Sequence, residues 1–207
     1  MPHYKFIAQR YLISQKGEND RTLILASGSP RRRELLEKLQ IPFTVEVSDC
    51  DETLPDGIPA EQAAELLAVR KAAAVAKQHP EAVVIGADTT VILDEEILGK
   101  PKDSADCKRM LRLLSDRVHK VITGTAVFWD GRSFSFSEET LVQFYPLSDS
   151  DIDAYAASDE PYDKAGAYGI QGQGALLVRG ISGDYYNVVG FPVARLSREL
   201  KRLGIVK

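Results

Sequence analysis

Three times along this chain an apolar run breaks into a tight turn crowded with charge. The blocks are Leu25-Ala26-Ser27-Gly28-Ser29-Pro30-Arg31-Arg32-Arg33, then Gly86-Ala87-Asp88-Thr89 with Gly99-Lys100-Pro101 close behind, and finally Asp163-Lys164-Ala165-Gly166-Ala167-Tyr168-Gly169-Ile170-Gln171-Gly172. Buried strands that deliver polar turns to the edge of a sheet are a common way to build a site, so the fold must bring such turns out of a packed core.

The first block follows the apolar run Leu23 to Ala26 and precedes Leu35, Leu36 and Leu39 at helical spacing, which predicts strand, turn, helix. Ser29 suits the N-cap and Pro30 the first helical position. The free backbone donors of that helix end, together with the guanidinium groups of Arg31 and Arg32, would face an anion such as phosphate. A capped helix with its arginines in solvent would read the same way.

In the second block Ala82-Val83-Val84-Ile85 is too continuously apolar to have a wet face, so Asp88 is expected at the end of a buried strand. A carboxylate there needs a metal ion, a positioned water or a lysine as partner, and Lys100, at the end of an expected hairpin Thr89–Leu93/Ile97–Gly99, is well placed. A turn-forming Asp bonded to its own backbone is the alternative. The third block sets Asp163 and Lys164 before a glycine-punctuated loop that leads to an expected strand at Ala175–Val178. Its glycines resemble a dinucleotide fingerprint in the wrong order, followed by a strand where that fingerprint needs a helix, so a Rossmann site is excluded.

The remaining elements follow from periodicity and turn residues: helix 30–39, strand 43–48, helix 60–78, helix 104–115 capped by Asp103 or Ser104, and strands 118–129 and 133–145 around Asp130-Gly131. A Ser148/Asp151 capping box starts helix 149–157, strand 175–181 follows the glycine loop, and a last helix runs from Pro192 to Leu203. Strands alternate with helices early and pair as hairpins later. The expected fold class is therefore α/β, a mixed twisted sheet with flanking helices.

Composition narrows the function. The 207 residues suffice for one domain or two lobes on one sheet, and a net charge of -4 argues against a general nucleic-acid binder. Cys50 and Cys107 fit neither a disulfide framework nor a zinc site, and His3, His79 and His119 are too scattered for a metal cluster; His119 suits a core or supporting position. Residues 1–22 are interrupted by Lys5, Gln9 and Arg10, so they hold no signal-peptide core, and no later run spans a membrane. They are expected to form an extension of unknown role, a short amphipathic helix followed by a polar linker. Cytoplasmic location is expected; a homodimer is left open.

A nucleoside triphosphate carries close to four negative charges, so a site for it needs several cations and usually a divalent metal held by carboxylates. Arg31, Arg32, Lys71, Lys100 and Lys164 could supply the cations, Glu52 and Asp88 the carboxylates. Taken alone, Lys71 would be a surface lysine and Glu52 a solvated loop residue.

Together the blocks resemble the Maf family of nucleoside triphosphate pyrophosphatases from about Leu23 to the C-terminus. Matching stretches include Leu25–Leu36, Asp51-Glu52-Thr53, Arg70-Lys71-Ala72, Gly86–Thr90, Leu98–Pro101, Leu113–Val121, Glu160–Gly172 and Gly183–Pro192. Ser-Pro-Arg-Arg at 29–32 is similar to the subgroup hydrolysing dTTP and UTP; a sister subgroup acting on methylated GTP has Trp where Arg31 stands. The resemblance implies an inosine triphosphatase-like fold over residues 23–207, with two lobes around a central cleft lined by all three blocks. It makes Glu52 a ligand, with Asp88, for Mg²⁺ or Mn²⁺, brings Lys71 to the substrate, and puts Arg31, Thr89 and Gln171 at specificity positions. Ser27, Ser29, Arg32, Lys100 and Lys164 complete the expected substrate site.

No Ser, Cys or His stands in a nucleophile arrangement, so water is the expected nucleophile, with Asp88 as its general base. The products would be a nucleoside monophosphate and pyrophosphate. The small-molecule triphosphate is the only partner expected, without nucleic acid or membrane. A house-cleaning pyrophosphatase for modified nucleotides and a nucleotide-sensing inhibitor of septum formation are the alternatives. A panel of triphosphates separates the first, and nucleotide binding without turnover would mark the second.

Overall fold

The computed structural model describes residues 21–207; the expected helix and linker in residues 1–20 lie outside the described residues. Among the described residues seven strands form one mixed sheet: β1 (Leu23–Ala26), β2 (Phe43–Val45), β3 (Val83–Leu93), β4 (Glu96–Leu98), β5 (Val118–Trp129), β6 (Arg132–Phe144) and β7 (Val178–Ser182). The order is β2-β1-β3-β5-β6-β7, with β4 also paired to β3. β1 runs parallel to both β2 and β3, and every other pairing is antiparallel. The Asp130-Gly131 turn closes the long β5–β6 hairpin as its sequence predicts, both residues taking positive φ.

Among the described residues six helices flank the sheet: α1 (Pro30–Glu37), α2 (Ala60–Ala76), α3 (Ser104–Leu114), α4 (Asp149–Ala156), α5 (Tyr185–Val189) and α6 (Val193–Arg202). Capping is as expected: Ser29 caps α1, Asp103 caps α3, and Ser148 with Asp151 forms the capping box of α4.

The alternation of side chains along β1 and β3 divides the core. Leu23, Leu25, Val83 and Ile85 pack on one face against Leu35 and Leu36 of α1 and Leu196 and Leu200 of α6. Ile24, Ala26 and Val84 meet Ala68, Ala72 and Val75 of α2 on the other. Farther along β3, Val91 and Leu93 join a separate cluster with Leu111 and Leu114 of α3 and Phe144. With both faces covered, β1 is buried throughout, which explains its unbroken apolar sequence.

α2 lies unusually close to the sheet because the contact is made of small residues. A Cβ on Gly86 would stand 2.6 Å from the Ala68 carbonyl oxygen and 2.7 Å from the Ala72 nitrogen.

Two expectations need correction. Asp88 does not end a strand: β3 continues through it to Leu93, because β5 backs Val84 to Ile92 without interruption. β1 pairs β3 only as far as Gly86, and β4 joins only from Val91, so residues 87–90 border a notch in the sheet. The expected strand at 175–181 begins later; Gln173–Leu177 forms a 3-10 turn and β7 starts at Val178. Glycine spacing in the preceding loop tightens the chain there before it can extend. α5, only five residues long, is too short to leave a periodic signal.

Candidate active site

The notch opens into a cleft of about 670 Å³ lined by residues of all three blocks. Five cations, Arg31, Arg32, Lys71, Lys100 and Lys164, face four carboxylates, Glu52, Asp88, Glu160 and Asp163. The cleft is thus locally cationic although the chain is acidic overall.

Asp88 lies on the α2 face of β3, and its lysine partner is Lys71 rather than Lys100. Lys71 Nζ donates to Asp88 Oδ1 at 2.6 Å and stands 3.1 Å from Glu52 Oε2. Lys71 and Asp88 keep only 12% and 14% of their side-chain surface, whereas Glu52 reaches in from an exposed loop with 59%. Lys71 stands on α2, beside Ala72, whose backbone packs directly on Gly86. Asp88 is therefore no turn residue, and Lys71 no surface lysine.

Arg32 occupies the opposite side of the notch. Its Nε donates to the Gly190 carbonyl at 2.9 Å, Nη1 to Ser27 Oγ at 3.4 Å and Nη2 to Thr89 Oγ1 at 3.0 Å. The Thr89 and Thr123 hydroxyls lie 2.9 Å apart, and Thr123 binds Asn187 through both its amide and its hydroxyl. A polar chain thus runs from α1 through β3 and β5 to α5. Burial lowers the Arg32 pKa, partly opposed by Asp88 and Glu52. Three of five guanidinium hydrogens are engaged, which leaves two for a ligand.

Arg31 bridges the first and third blocks by donating to Asp163 Oδ2 at 3.0 Å. Lys164 Nζ contacts Asp163 Oδ1 and the Glu160 carbonyl, both at 2.6 Å. Desolvation would raise the Asp163 pKa, but hydrogen bonds from Lys164 and Arg31 and their charges bring it below the ordinary carboxylate range. Ser29 serves as the N-cap with its hydroxyl 3.5 Å from the Arg32 amide. Lys100 and Gln171 line the cleft, both exposed, and neither side chain has a hydrogen-bond partner among the described residues. Gln171 therefore does not anchor the glycine loop.

Sequence reasoning passed over Asn187 and Glu160. Asn187 is completely buried and donates to the Val121 carbonyl and Thr140 Oγ1. Its signal, an Asn in Tyr-Tyr-Asn-Val-Val, is invisible without knowing that α5 exists. Glu160 accepts from the Tyr155 hydroxyl of α4 and from the Gln173 and Gly174 amides of the glycine loop. His119 is buried, as a core position requires, with Nε2 2.8 Å from the Tyr168 hydroxyl.

For a divalent cation, the donor set is Glu52 and Asp88. Their carboxylates already converge on one cation, the Lys71 ammonium, but among the described residues no group of three or more Asp, Glu, His or Cys could hold a metal. Two carboxylates fit Mg²⁺ or Mn²⁺ when water and phosphate oxygens complete the shell.

The fold is similar to that of Ham1 proteins. The Staphylococcus aureus Ham1 protein aligns with a TM-score of 0.54 at 16% identity, over 88% of this chain and 100% of that one. A HAM1 protein from Coxiella burnetii gives 0.51 at 18%, over 88% and 99%. A dTTP/UTP pyrophosphatase of Bacillus cytotoxicus is 53% identical over 179 residues, 86% of this chain and 94% of that protein. One of Bacillus cereus is 48% identical over 193 residues, 93% and 95% respectively. Residues 22–203 match the family described as Maf-like protein, and with relatives at such identity over nearly their whole length, the chain belongs to that family.

Proposed function

We propose that this chain is a nucleoside triphosphate pyrophosphatase that hydrolyses dTTP and UTP between the α and β phosphates. The observation that carries the reading is the meeting of Asp88, Glu52 and Lys71 in the notch of the sheet. It occurs in a chain about half identical to proteins named dTTP/UTP pyrophosphatase.

Asp88 accepts the proton of the attacking water as the oxygen adds to the α-phosphorus. The bond to the bridging oxygen breaks and pyrophosphate departs, its charge met by Lys71, Lys100, Lys164 and the two free N–H groups of Arg32. Ser27 and Ser29 complete the phosphate end, at the start of α1. Glu52 and Asp88 would hold Mg²⁺ or Mn²⁺, which would supply charge neutralisation at the phosphates. Lys71 keeps the two carboxylates together before substrate arrives.

Arg31, Thr89 and Gln171 surround the base. Uracil and thymine present an acceptor, a donor and an acceptor on their pairing edge, and the partner-free Gln171 amide can match an adjacent donor–acceptor pair. Cytosine places a donor where uracil has O4, so a site built for that oxygen rejects it.

Among the described residues no helix is long and apolar enough to cross a membrane, and Cys50 and Cys107 are free thiols. Both features support action on the cytoplasmic nucleotide pool. Residues 1–22 stand as an extension to the domain of 23–207.

Pyrophosphate release from dTTP, UTP, CTP and modified triphosphates, with Mg²⁺ or Mn²⁺, tests the reading. Preference for dTTP and UTP supports it; a preference for modified nucleotides, or binding without turnover, overturns it.

A further inference from the structure

The loop 169–174, which carries Gln171 at its crown, has its exit tied to one carboxylate directly and its entry tied to the same carboxylate through a tyrosine hydroxyl. Glu160 Oε1 accepts from the Tyr155 hydroxyl at 2.9 Å and from the Gly174 amide at 3.1 Å, and Oε2 accepts from the Gln173 amide at 2.8 Å. The Tyr155 hydroxyl in turn accepts from the Gly169 amide at 3.1 Å. The entry of the loop and its exit therefore meet at one anionic point, supplied from the end of α4 and the turn after it.

The glycines of the loop fit this arrangement. A Cβ at Gly172 would collide with the Glu160 carboxylate, and one at Gly174 would stand 2.6 Å from the Gly169 carbonyl oxygen and 2.8 Å from the Tyr155 hydroxyl. Side chains are absent where the carboxylate and the two stems press together.

Glu160 lines the cleft with the catalytic groups, yet its chemistry is already committed. Three of about four acceptor positions on the carboxylate are filled, two by loop amides and one by the Tyr155 hydroxyl, which leaves it poorly suited to ligate a cation or activate water. Desolvation raises its pKa, but the bonds from Gly174, Gln173 and Tyr155 and the charge of Lys164 more than offset this, so the group stays ionised at neutral pH.

We propose that Glu160, extended through Tyr155, is a positioning residue for base recognition: it holds the 169–174 loop in the one shape that aims the Gln171 amide at the bound base. The proposal rests on the reading of Gln171 given above. A glycine-rich loop has many conformations to lose, and discrimination between O4 of uracil and the amine of cytosine needs a donor held in place before the base arrives. The carboxylate supplies that order without touching the substrate.

Glu160→Gln keeps the size of the side chain but turns an NH₂ group toward one of the three donors, setting donor against donor. Tyr155→Phe removes only the hydroxyl that links Gly169 to the carboxylate. These two variants, Gln171→Ala and the double variant Glu160→Gln/Gln171→Ala are compared with the wild-type full chain. The readouts are kcat and KM on UTP and CTP, and backbone hydrogen exchange over 169–174.

Glu160→Gln is expected to speed exchange of the loop about tenfold and to narrow the UTP-to-CTP ratio of kcat/KM by roughly tenfold, mostly through KM for UTP. Tyr155→Phe moves both in the same direction by less. The double variant discriminates no worse than Gln171→Ala alone, because the loop then has no reader left to aim.

Unchanged loop exchange overturns the proposal. So does an unchanged ratio in both clamp variants when Gln171→Ala narrows it, and in that case the reading of Gln171 survives. A ratio untouched by Gln171→Ala instead sinks the base-reading role, and the positioning role falls with it. If exchange in Glu160→Gln rises across β3 and β5 as well, that variant has a folding defect and Tyr155→Phe decides the matter by the same criteria.

Discussion

Lys71 Nζ sits 2.6 Å from Asp88 Oδ1, the ammonium on a helix and the carboxylate in the middle of a strand. Each is largely shielded from water, so the pair is geometrically defined before substrate enters. Asp88→Asn preserves shape and leaves Lys71 an acceptor, but the amide cannot take a proton. Turnover of UTP should fall by roughly 10²–10⁴ while nucleotide binding persists. Steady-state pyrophosphate release and calorimetric titration check this; a rate within tenfold of wild type would remove Asp88 as the base.

Lys100 has no partner among the described residues, so its charge is available to phosphates common to every substrate. Lys100→Ala should lower kcat/KM for UTP, dTTP and CTP by one shared factor. Lys71→Ala should do the same more severely, since it also leaves Glu52 and Asp88 facing each other. A change of preferred base in Lys100→Ala contradicts the assignment. Arg32→Ala differs, because Arg32 also holds Thr89 and Gly190, and thermal stability should drop with activity.

Gly86 permits α2 to approach the sheet, and α2 carries Lys71. Gly86→Ala places a methyl against the backbone of Ala68 and Ala72, which can yield only if the helix moves. The expected cost is about 1–3 kcal/mol of stability. Activity should fall further than that loss of folded protein explains, because the Lys71–Asp88 distance changes. Chemical denaturation alongside kinetics at a temperature where the variant is fully folded separates the two; unchanged kcat there refutes the link.

Burial lowers the His119 pKa from 6.5 to about 4. Above pH 6.5 the ring is neutral in both folded and unfolded chains. Between pH 6.5 and 4 the unfolded chain takes up a proton that the folded chain refuses, so stability declines as pH falls, by up to about 3 kcal/mol, and this group adds no further loss below pH 4. Urea midpoints measured from pH 7 to pH 4.5 should show the decline in wild type and a flatter profile in His119→Gln. Parallel profiles would mean that other groups set the acid sensitivity.

Much of this architecture can be read from the chain because its elements are long and well punctuated: the β5–β6 hairpin announces itself by Asp130-Gly131, and α4 by Ser148 and Asp151. The position of Asp88 is harder to read. An apolar run followed by Gly-Ala-Asp looks like a strand ending in a turn, whereas the strand continues and it is β1, encoded some sixty residues earlier, that stops. Local periodicity carries no information on where a neighbour ends. For the same reason the sequence points to the nearby Lys100 as the partner of Asp88, although the partner comes from α2, whose closeness depends on glycine in another element. Arg32 reads plainly as a cation at a helix start, but its bond to Gly190 spans 158 positions and depends on α5, which is too short to predict.

Those separations also order events in time. Arg31 meets Asp163, and Arg32 meets Gly190, only after most of the polypeptide has been made. A nascent chain that has completed β1, α1 and even β3 holds Asp88, Arg31, Arg32 and Lys71, but neither Lys100 and Lys164 nor the wall they work against. Assembly of the cleft is therefore a terminal event of folding, and an incomplete translation product would be inert toward the nucleotides around it.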